Sequence, residues 1–326
     1  MIKLIGVPFD GNSSFLKGPS LAPPRIRLMD RDGSANSFCE NGKAVINGQT
    51  YIDFGDLVFP DINPLAVYTT IKQKIKKELT QGDKIICLGG DHSVSFPIIE
   101  AHAAKHNNLN VLHLDAHADL YDNFENNPFS HASPFARLME KRILQSLTQV
   151  GIRTLNTHQK EQANKFGVSI IEMKDFNCDF IKTLKGPLYI SLDLDVLDPA
   201  FAPGISHHEP GGLSTRELIT IIQSIPVEII GADIVEYNPV RDVNNMTEYL
   251  YLYFSNNWRC LLSKLISRPC INTCVTLLLF ISSKSPSLIT MLASLPFSNE
   301  PVILSIPKIF AAFNVIALNA CSLVKP

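Results

Sequence analysis

The residues of this chain that could do chemistry gather in three short stretches. Val111–Asp122 reads V-L-H-L-D-A-H-A-D-L-Y-D, a strand-length apolar run that stops on Asp115, His117 and Asp119. Alternate residues of an extended segment share a face, so these three side chains can converge on one point past the strand end. A second run, I-C-L-G-G-D-H-S, ends on His92, where Gly89 and Gly90 let the backbone turn sharply over the sheet edge. A third, Y-I-S-L-D-L-D-V-L-D-P-A-F-A-P-G, puts Asp193 and Asp195 on one face, with Asp198 and Pro199 opening the turn. Two histidines and four aspartates without a cysteine suit two divalent metals of the manganese type, bridged by carboxylates, rather than structural zinc. A lone D-x-D is ordinary polar surface, and a lone G-G-D-H is a turn. Four aspartates gathered at one sheet edge repel one another, and a cation relieves that repulsion.

The elements that must carry these ends are legible in the same pattern. Short apolar runs at residues 2–7, 51–56, Lys84–Leu88, Asn110–Leu114, Thr148–Ile152, Ser169–Glu172, Leu188–Leu192 and Glu228–Ile234 alternate with helix-length segments. Continuous rather than alternating hydrophobicity marks strands buried on both faces, hence a parallel sheet between helices. The helices are expected at Asn63–Leu79, Ser95–His106, Pro134–Gln145, Gln159–Phe166 and Thr215–Ser224, with Pro23 and Pro24 opening a short one near the N-terminus. Ser214 and Glu217 have capping-box spacing. The fold class is therefore a three-layer α/β sandwich with a central parallel sheet and the metal site at the carboxyl ends of the strands.

At 326 residues and 18% charged, the chain has ample core, and its net charge of −2 gives no reason to propose nucleic acid or an anionic membrane as partner. The average hides an asymmetry. Residues 251–326 carry six basic groups against one acid, Glu300, while the preceding 250 carry 23 basic and 30 acidic. Four of the seven cysteines fall in that last quarter; Cys39, Cys87 and Cys178 are scattered through the body, as in a reducing compartment. The chain opens on the strand-like M-I-K-L-I-G-V, so a cytoplasmic location is the default expectation.

Together, G-G-D-H-S (89–93), D-A-H-A-D (115–119) and S-L-D-L-D-V-L-D-P-A-F-A-P-G (191–204) resemble the three signatures of the ureohydrolases, the family of arginases and agmatinases. P-F-D-G, G-P…R-I-R and A-D-I-V-E-Y-N-P (232–239) match as well, and D-L-Y-D-N-F-E-N-N-P-F-S-H-A-S-P-F with H-H-E-P-G-G-L-S (207–214) is similar to the plant-type arginase and agmatinase-like branch. The resemblance covers residues 1 to about 247. It implies one Mn2+ on His92, Asp115, Asp119 and Asp193, and a second on His117, Asp115, Asp193 and Asp195. Water activated between two such ions would attack the guanidinium carbon of a small guanidino substrate, giving urea and an amine. His131 matches the family's loop histidine, suited to protonate the departing amine, and Glu236 its guanidinium-holding carboxylate. His207 and His208 are expected at the mouth without a catalytic role. The resemblance further implies a homo-oligomer, trimeric or hexameric, working in arginine metabolism or polyamine biosynthesis.

Two features depart from the family pattern. Tyr121 stands where the animal-type arginases carry an asparagine that holds the α-amino acid end, which tilts the expectation toward agmatine, with arginine and then formiminoglutamate as alternatives. Beyond residue 247 the expected alanine-rich closing helix is replaced by E-Y-L-Y-L-Y-F-S-N-N-W-R-C-L-L, and no Gly or Asp occurs from 251 onward. Residues 1–247 are read as the catalytic domain, and 248–326 as an atypical tail from a shifted frame or aberrant exon. A folded but inactive protein is the corresponding alternative. Cys270 and Cys274 lack the second half of a zinc clip. Lys308, Asn314 and Asn319 interrupt the apolar Pro301–Val324, so a membrane anchor is not expected.

Overall fold

The computed structural model describes residues 1–32, 36–80 and 82–251, together with the short strands Leu279–Phe280, Thr290–Ala293 and Val302–Ile303. Two compact units divide the chain, Met1–Ser267 and Arg268–Pro326.

The first unit is built on eight strands: β1 (Ile2–Gly6), β2 (Ile52–Asp56), β3 (Lys84–Leu88), β4 (Asn110–Leu114), β5 (Ser146–Ile152), β6 (Ser169–Glu172), β7 (Leu188–Asp193) and β8 (Ile229–Val235). Every neighbouring pair is parallel, in the order β2-β1-β3-β8-β7-β4-β5-β6. Every residue of β1, β3, β4, β7 and β8 is buried, as their unbroken apolar runs require.

Among the described residues, six α-helices cover the sheet: α1 (Ala22–Arg31), α2 (Pro64–Glu78), α3 (Ser95–Ala103), α4 (Pro134–Glu140), α5 (Thr157–Phe166) and α6 (Thr215–Ser224). One apolar cluster joins α1 and α6 to Ile2, Leu4, Ile86, Leu112 and Ile190. A second joins α2, α3, α4 and α5 to Ile5, Ile85, Cys87, Val111 and Tyr189. Alternation along each strand thus feeds two separate cores, which makes three layers.

Helix ends follow local chemistry. Asn63 and Asn156 accept N–H groups at the starts of α2 and α5, and Ser214 and Glu217 form the expected capping box on α6. Two helices are shorter than their apolar spacing predicts. α4 stops at Glu140 because Arg142 turns left-handed, and α3 stops at Ala103 ahead of left-handed Asn108.

Past residue 247, residues 248–251 continue a helical turn. Glu248 pairs with Arg25 at 3.1 Å, and the buried Tyr251 donates its hydroxyl to the Ile234 carbonyl at 2.8 Å. In the second unit the described segments Leu279–Phe280, Thr290–Ala293 and Val302–Ile303 (β9, β10 and β11) form an antiparallel sheet in the order β11-β10-β9. Cys270, Cys274 and all of Pro301–Val324 other than β11 lie outside the described residues. Among the described residues no helix is long and apolar enough to cross a membrane.

Candidate metal centre and substrate cavity

The order β3-β8-β7-β4 sets four strand ends side by side, and each delivers a chemical group there. His92 follows β3, Glu236 follows β8, Asp193 closes β7 with Asp195 just beyond, and Asp115, His117 and Asp119 follow β4. All six residues expected to hold metal come together, five of them buried and His117 partly open.

His92 is the hinge of the cluster. Its Nδ1 lies 3.0 Å from Asp115 Oδ2 and 3.1 Å from both Asp119 Oδ2 and Asp193 Oδ2. Its Nε2 lies 3.1 Å from Ser191 Oγ, whose own proton goes to Asp233 Oδ1 at 2.7 Å. Ser191 must therefore accept from His92 Nε2–H, which leaves the Nδ1 lone pair facing three carboxylate oxygens. Unprotonated, that buried nitrogen finds no donor among the described residues. A cation at this point satisfies all four atoms at once, so the residues fit a divalent metal. Without a metal, a second proton serves instead. Burial opposes charge on the ring, but Asp115, Asp119 and Asp193 outweigh it and hold the His92 pKa well above its ordinary value.

On the other side, His117 Nδ1 lies 2.9 Å from Asp195 Oδ2 and 3.3 Å from Asp115 Oδ1. The two sets of possible ligand atoms are His92, His113, Asp115 and Asp119, and Asp115, His117 and Asp195. The ligand set implied by the sequence differs in two residues. It omits His113, and it includes Asp193, which joins neither set although its Oδ2 reaches His92. Burial raises Asp115, yet its contacts with His113, His117 and His92 outweigh that and hold its carboxyl well below the usual range. Asp193 goes the other way, raised by burial and by its neighbours Asp195 and Asp115. Carboxylates gathered this closely repel one another, and a cation between them relieves the repulsion.

Glu236 occupies a left-handed backbone conformation, φ 63°, and Asp119 another, φ 50°. Such strain in non-glycine residues clusters at functional sites. The Glu236 turn is held by its N–H donating to the Gly90 carbonyl at 2.9 Å. Gly90 has no alternative at this position: a Cβ there would lie 1.8 Å from the Phe9 carbonyl oxygen. Glu236 Oε1 accepts the His92 N–H and contacts His131 Nδ1, both at 2.9 Å, while Oε2 is buried without a partner. The other nitrogen of His131, Nε2, lies 2.8 Å from Ser14 Oγ and 3.2 Å from the Ser14 backbone nitrogen, whose N–H it accepts only in the neutral ring. Burial lowers the His131 pKa, but Glu236, Asp91 and Asp119 outweigh it and push it up to about 9.

These groups line a cavity of about 230 Å3, walled also by Tyr121, Phe124, Thr154, His207 and Glu209. Neither Lys nor Arg is among its lining residues. Arg153, nearby, is engaged with the carbonyls of Asp195 and Glu209. His207 lies in the wall, its ring 5.4 Å from that of His117 and 5.6 Å from that of His131. His208 is not among the lining residues and bonds instead to the Pro203 carbonyl. Sequence reasoning misses His113 and Ser14. The signal for His113 is present, since it shares the face of Asp115 two residues on; Ser14 comes from a loop with no periodicity to read.

Comparison with known proteins places the site in context. Residues 1–257 match the model of the Arginase family. "Arginase 1, mitochondrial" of Arabidopsis thaliana is 44% identical over 259 residues, covering 75% of this chain and 76% of the relative. An agmatinase of Bacillus anthracis is 31% identical, covering 76% and 86%. The structure of an arginase from Medicago truncatula superposes with a TM-score of 0.75 at 38% identity, covering 80% of this chain and 87% of that one. With its fold and most of its length in common with these proteins, the chain belongs to the arginase family.

Proposed function

We propose that this chain hydrolyses a small guanidino substrate to urea and an amine with two manganese ions per chain, and that arginine is preferred to agmatine. The carrying observation is the buried Oε2 of Glu236, unpartnered among the described residues, in the wall of a cavity whose described lining holds no Lys or Arg, beside the ligand cluster. A carboxylate so placed accepts N–H groups from a planar cation.

His92, Asp115, Asp119 and Asp193 would hold one ion, and His117, Asp115, Asp193 and Asp195 the other. When bound, the pair supplies hydroxide near neutral pH and neutralises charge that develops on the substrate. Glu236 orients the guanidinium, and its left-handed turn aims the carboxyl from the end of β8. His131 carries its proton between Glu236 and Ser14 and delivers it to the departing amine. The catalytic part is residues 1–247, which contain all of these metal-holding and proton-handling side chains.

The expectation of agmatine rests on Tyr121. That residue lines the cavity and its hydroxyl contacts Asn156 Nδ2 at 2.5 Å, so it adds a polar group to the wall and does not close the cavity to an amino acid. Glu209, also in the wall, is an anionic partner for the far ammonium of either substrate. The 44%-identical relative is named an arginase and the agmatinase stands at 31%, which favours arginine. We also propose a trimeric or hexameric homo-oligomer. The cytoplasmic default stands against the mitochondrial location in the Arabidopsis relative's name, and cell fractionation separates the two.

The test is urea release from arginine and from agmatine, with and without manganese. Manganese-dependent urea, faster from arginine, is expected. No urea from either, using folded and metal-loaded protein, overturns the proposal.

A further inference from the structure

His113 lies on β4 two residues before Asp115, so both side chains leave the same face of the strand. It is fully buried, its ring stacked on Phe135 with centroids 3.8 Å apart. Its Nε2 lies 2.7 Å from Asp115 Oδ2, and its Nδ1 lies 3.0 Å from Gln149 Nε2. The same Gln149 nitrogen donates to the Ala118 carbonyl at 2.6 Å. Turning the amide over would set its oxygen against the Ala118 oxygen, acceptor on acceptor, so the nitrogen must face both groups. A donor on Gln149 requires a lone pair on His113 Nδ1. The single ring proton therefore sits on Nε2, pointed at Asp115.

By distance alone His113 groups with His92, Asp115 and Asp119 as a metal ligand would. Its hydrogen bonds rule that out, because neither ring nitrogen offers a free lone pair to a cation. We infer that His113, locked in one tautomer by Gln149, is a positioning residue that fixes the plane of the Asp115 carboxylate so that it can serve both metals. This rests on the two-metal reading proposed above. Asp115 is common to both groups of possible ligands, with Oδ2 toward His92 and Oδ1 toward His117. A carboxylate free to rotate presents one oxygen or the other, whereas a bond to Oδ2 from behind holds the plane and leaves each oxygen a lone pair for a cation. Partners of this kind are worth roughly 10–100-fold in metal affinity.

Two measurements test the assignment. In metal-free wild-type protein with 15N-labelled histidine, His113 is expected as the neutral Nε2–H tautomer; an Nδ1–H tautomer overturns the inference. In a manganese titration, His113→Phe, which keeps an aromatic ring on Phe135, is expected to bind two ions per chain with affinity lowered about 10–100-fold. A fall to one ion makes His113 a ligand, and unchanged affinity makes it mere packing; either overturns the inference. His113→Gln, which returns an N–H donor, is expected to recover part of the lost affinity, and no recovery counts against positioning. Should the Phe variant fail to fold, Gln149→Leu carries the same titration: weaker binding with a mixed tautomer is expected, and an unchanged tautomer overturns the role of Gln149. A wild-type chain that takes up no manganese refutes the two-metal reading itself, and the tautomer then judges His113 independently.

Discussion

The Nδ1 of His131 lies 2.9 Å from Glu236 Oε1, the same oxygen that accepts the backbone N–H of His92. One carboxylate oxygen thus ties the loop that carries His131 to the turn that carries His92, while its twin has no partner among the described residues. Three elements distant in sequence meet on this atom, and disturbing it should be felt in each.

The first consequence is in the titration of His131. Its pKa is raised from an ordinary 6.5 to about 9 against the opposing effect of burial, with Glu236 the largest upward influence. In metal-free Glu236→Gln the His131 midpoint should fall from about 9 toward its ordinary value, as read by NMR. A raised histidine stabilises the fold fully below pH 6.5 and loses that contribution as pH climbs through about 9. Metal-free wild type should therefore lose stability over that window, and the variant should lose less. An unmoved midpoint would show that Glu236 is not the cause.

His131 contacts Glu236 and Ser14, and the proposed function makes it the proton donor to the departing amine. His131→Ala should lower kcat by about 10²–10⁴-fold, the usual worth of a positioned acid or base, while manganese content stays at two per chain. Metal analysis beside steady-state kinetics checks both halves. A variant that loses metal would move His131 into the ligand cluster.

Asp115 and Asp193 both reach His92 Nδ1, at 3.0 and 3.1 Å. Asp115→Ala or Asp193→Ala should abolish urea release and weaken the binding of both ions. A fully active, metal-loaded single variant would falsify the shared role. Because metal uptake must displace the proton that His92 otherwise holds, manganese affinity should also fall steadily as pH is lowered.

Glu209 is more than a third exposed and stands 3.8 Å from His117 Nε2. Glu209→Gln should raise KM for arginine several-fold and leave kcat within about twofold, the pattern of lost uniform binding. Salt screens so open a carboxylate, so the difference should shrink at high ionic strength. A drop in kcat alone would place Glu209 at the reacting centre instead.

Gly90→Ala is the sharpest structural test. The Cβ would meet backbone of Phe9, which cannot swing away like a side chain. A destabilisation of at least ~2 kcal/mol is expected in denaturant melts, with activity lost in the folded fraction because the same turn holds Glu236. Wild-type stability would show that the loop carrying Phe9 moves freely.

The candidate ligand side chains are legible in the sequence because their residue types recur at alternate positions where buried strands end. Asp115, His117 and Asp119 follow one buried strand at alternate positions, and Asp193 and Asp195 close another, although the left-handed turn at Asp119 and the 3-10 turn at Leu194–Val196 are not read from that spacing. The unbroken apolar runs likewise dictate a sheet covered on both sides. Helix ends are less legible: α3 and α4 stop early at left-handed turns through Asn108 and Arg142, which carry no Gly or Pro to announce them.

What only the tertiary structure decides is which ends become neighbours. Chain order places β7 and β8 last of the eight parallel strands, yet they insert between β3 and β4, and this brings Asp193 and Glu236 against His92. The insertion depends on two cores closing on opposite faces of the sheet, a property of the whole packing rather than of any local run. The same closure supplies the partners that composition cannot show: Gln149 behind His113, Ser191 and Asp233 behind His92, and Ser14 beside His131. A sequence states which residues can hold a metal or a proton. The orientation of each lone pair is set by neighbours that only folding brings near.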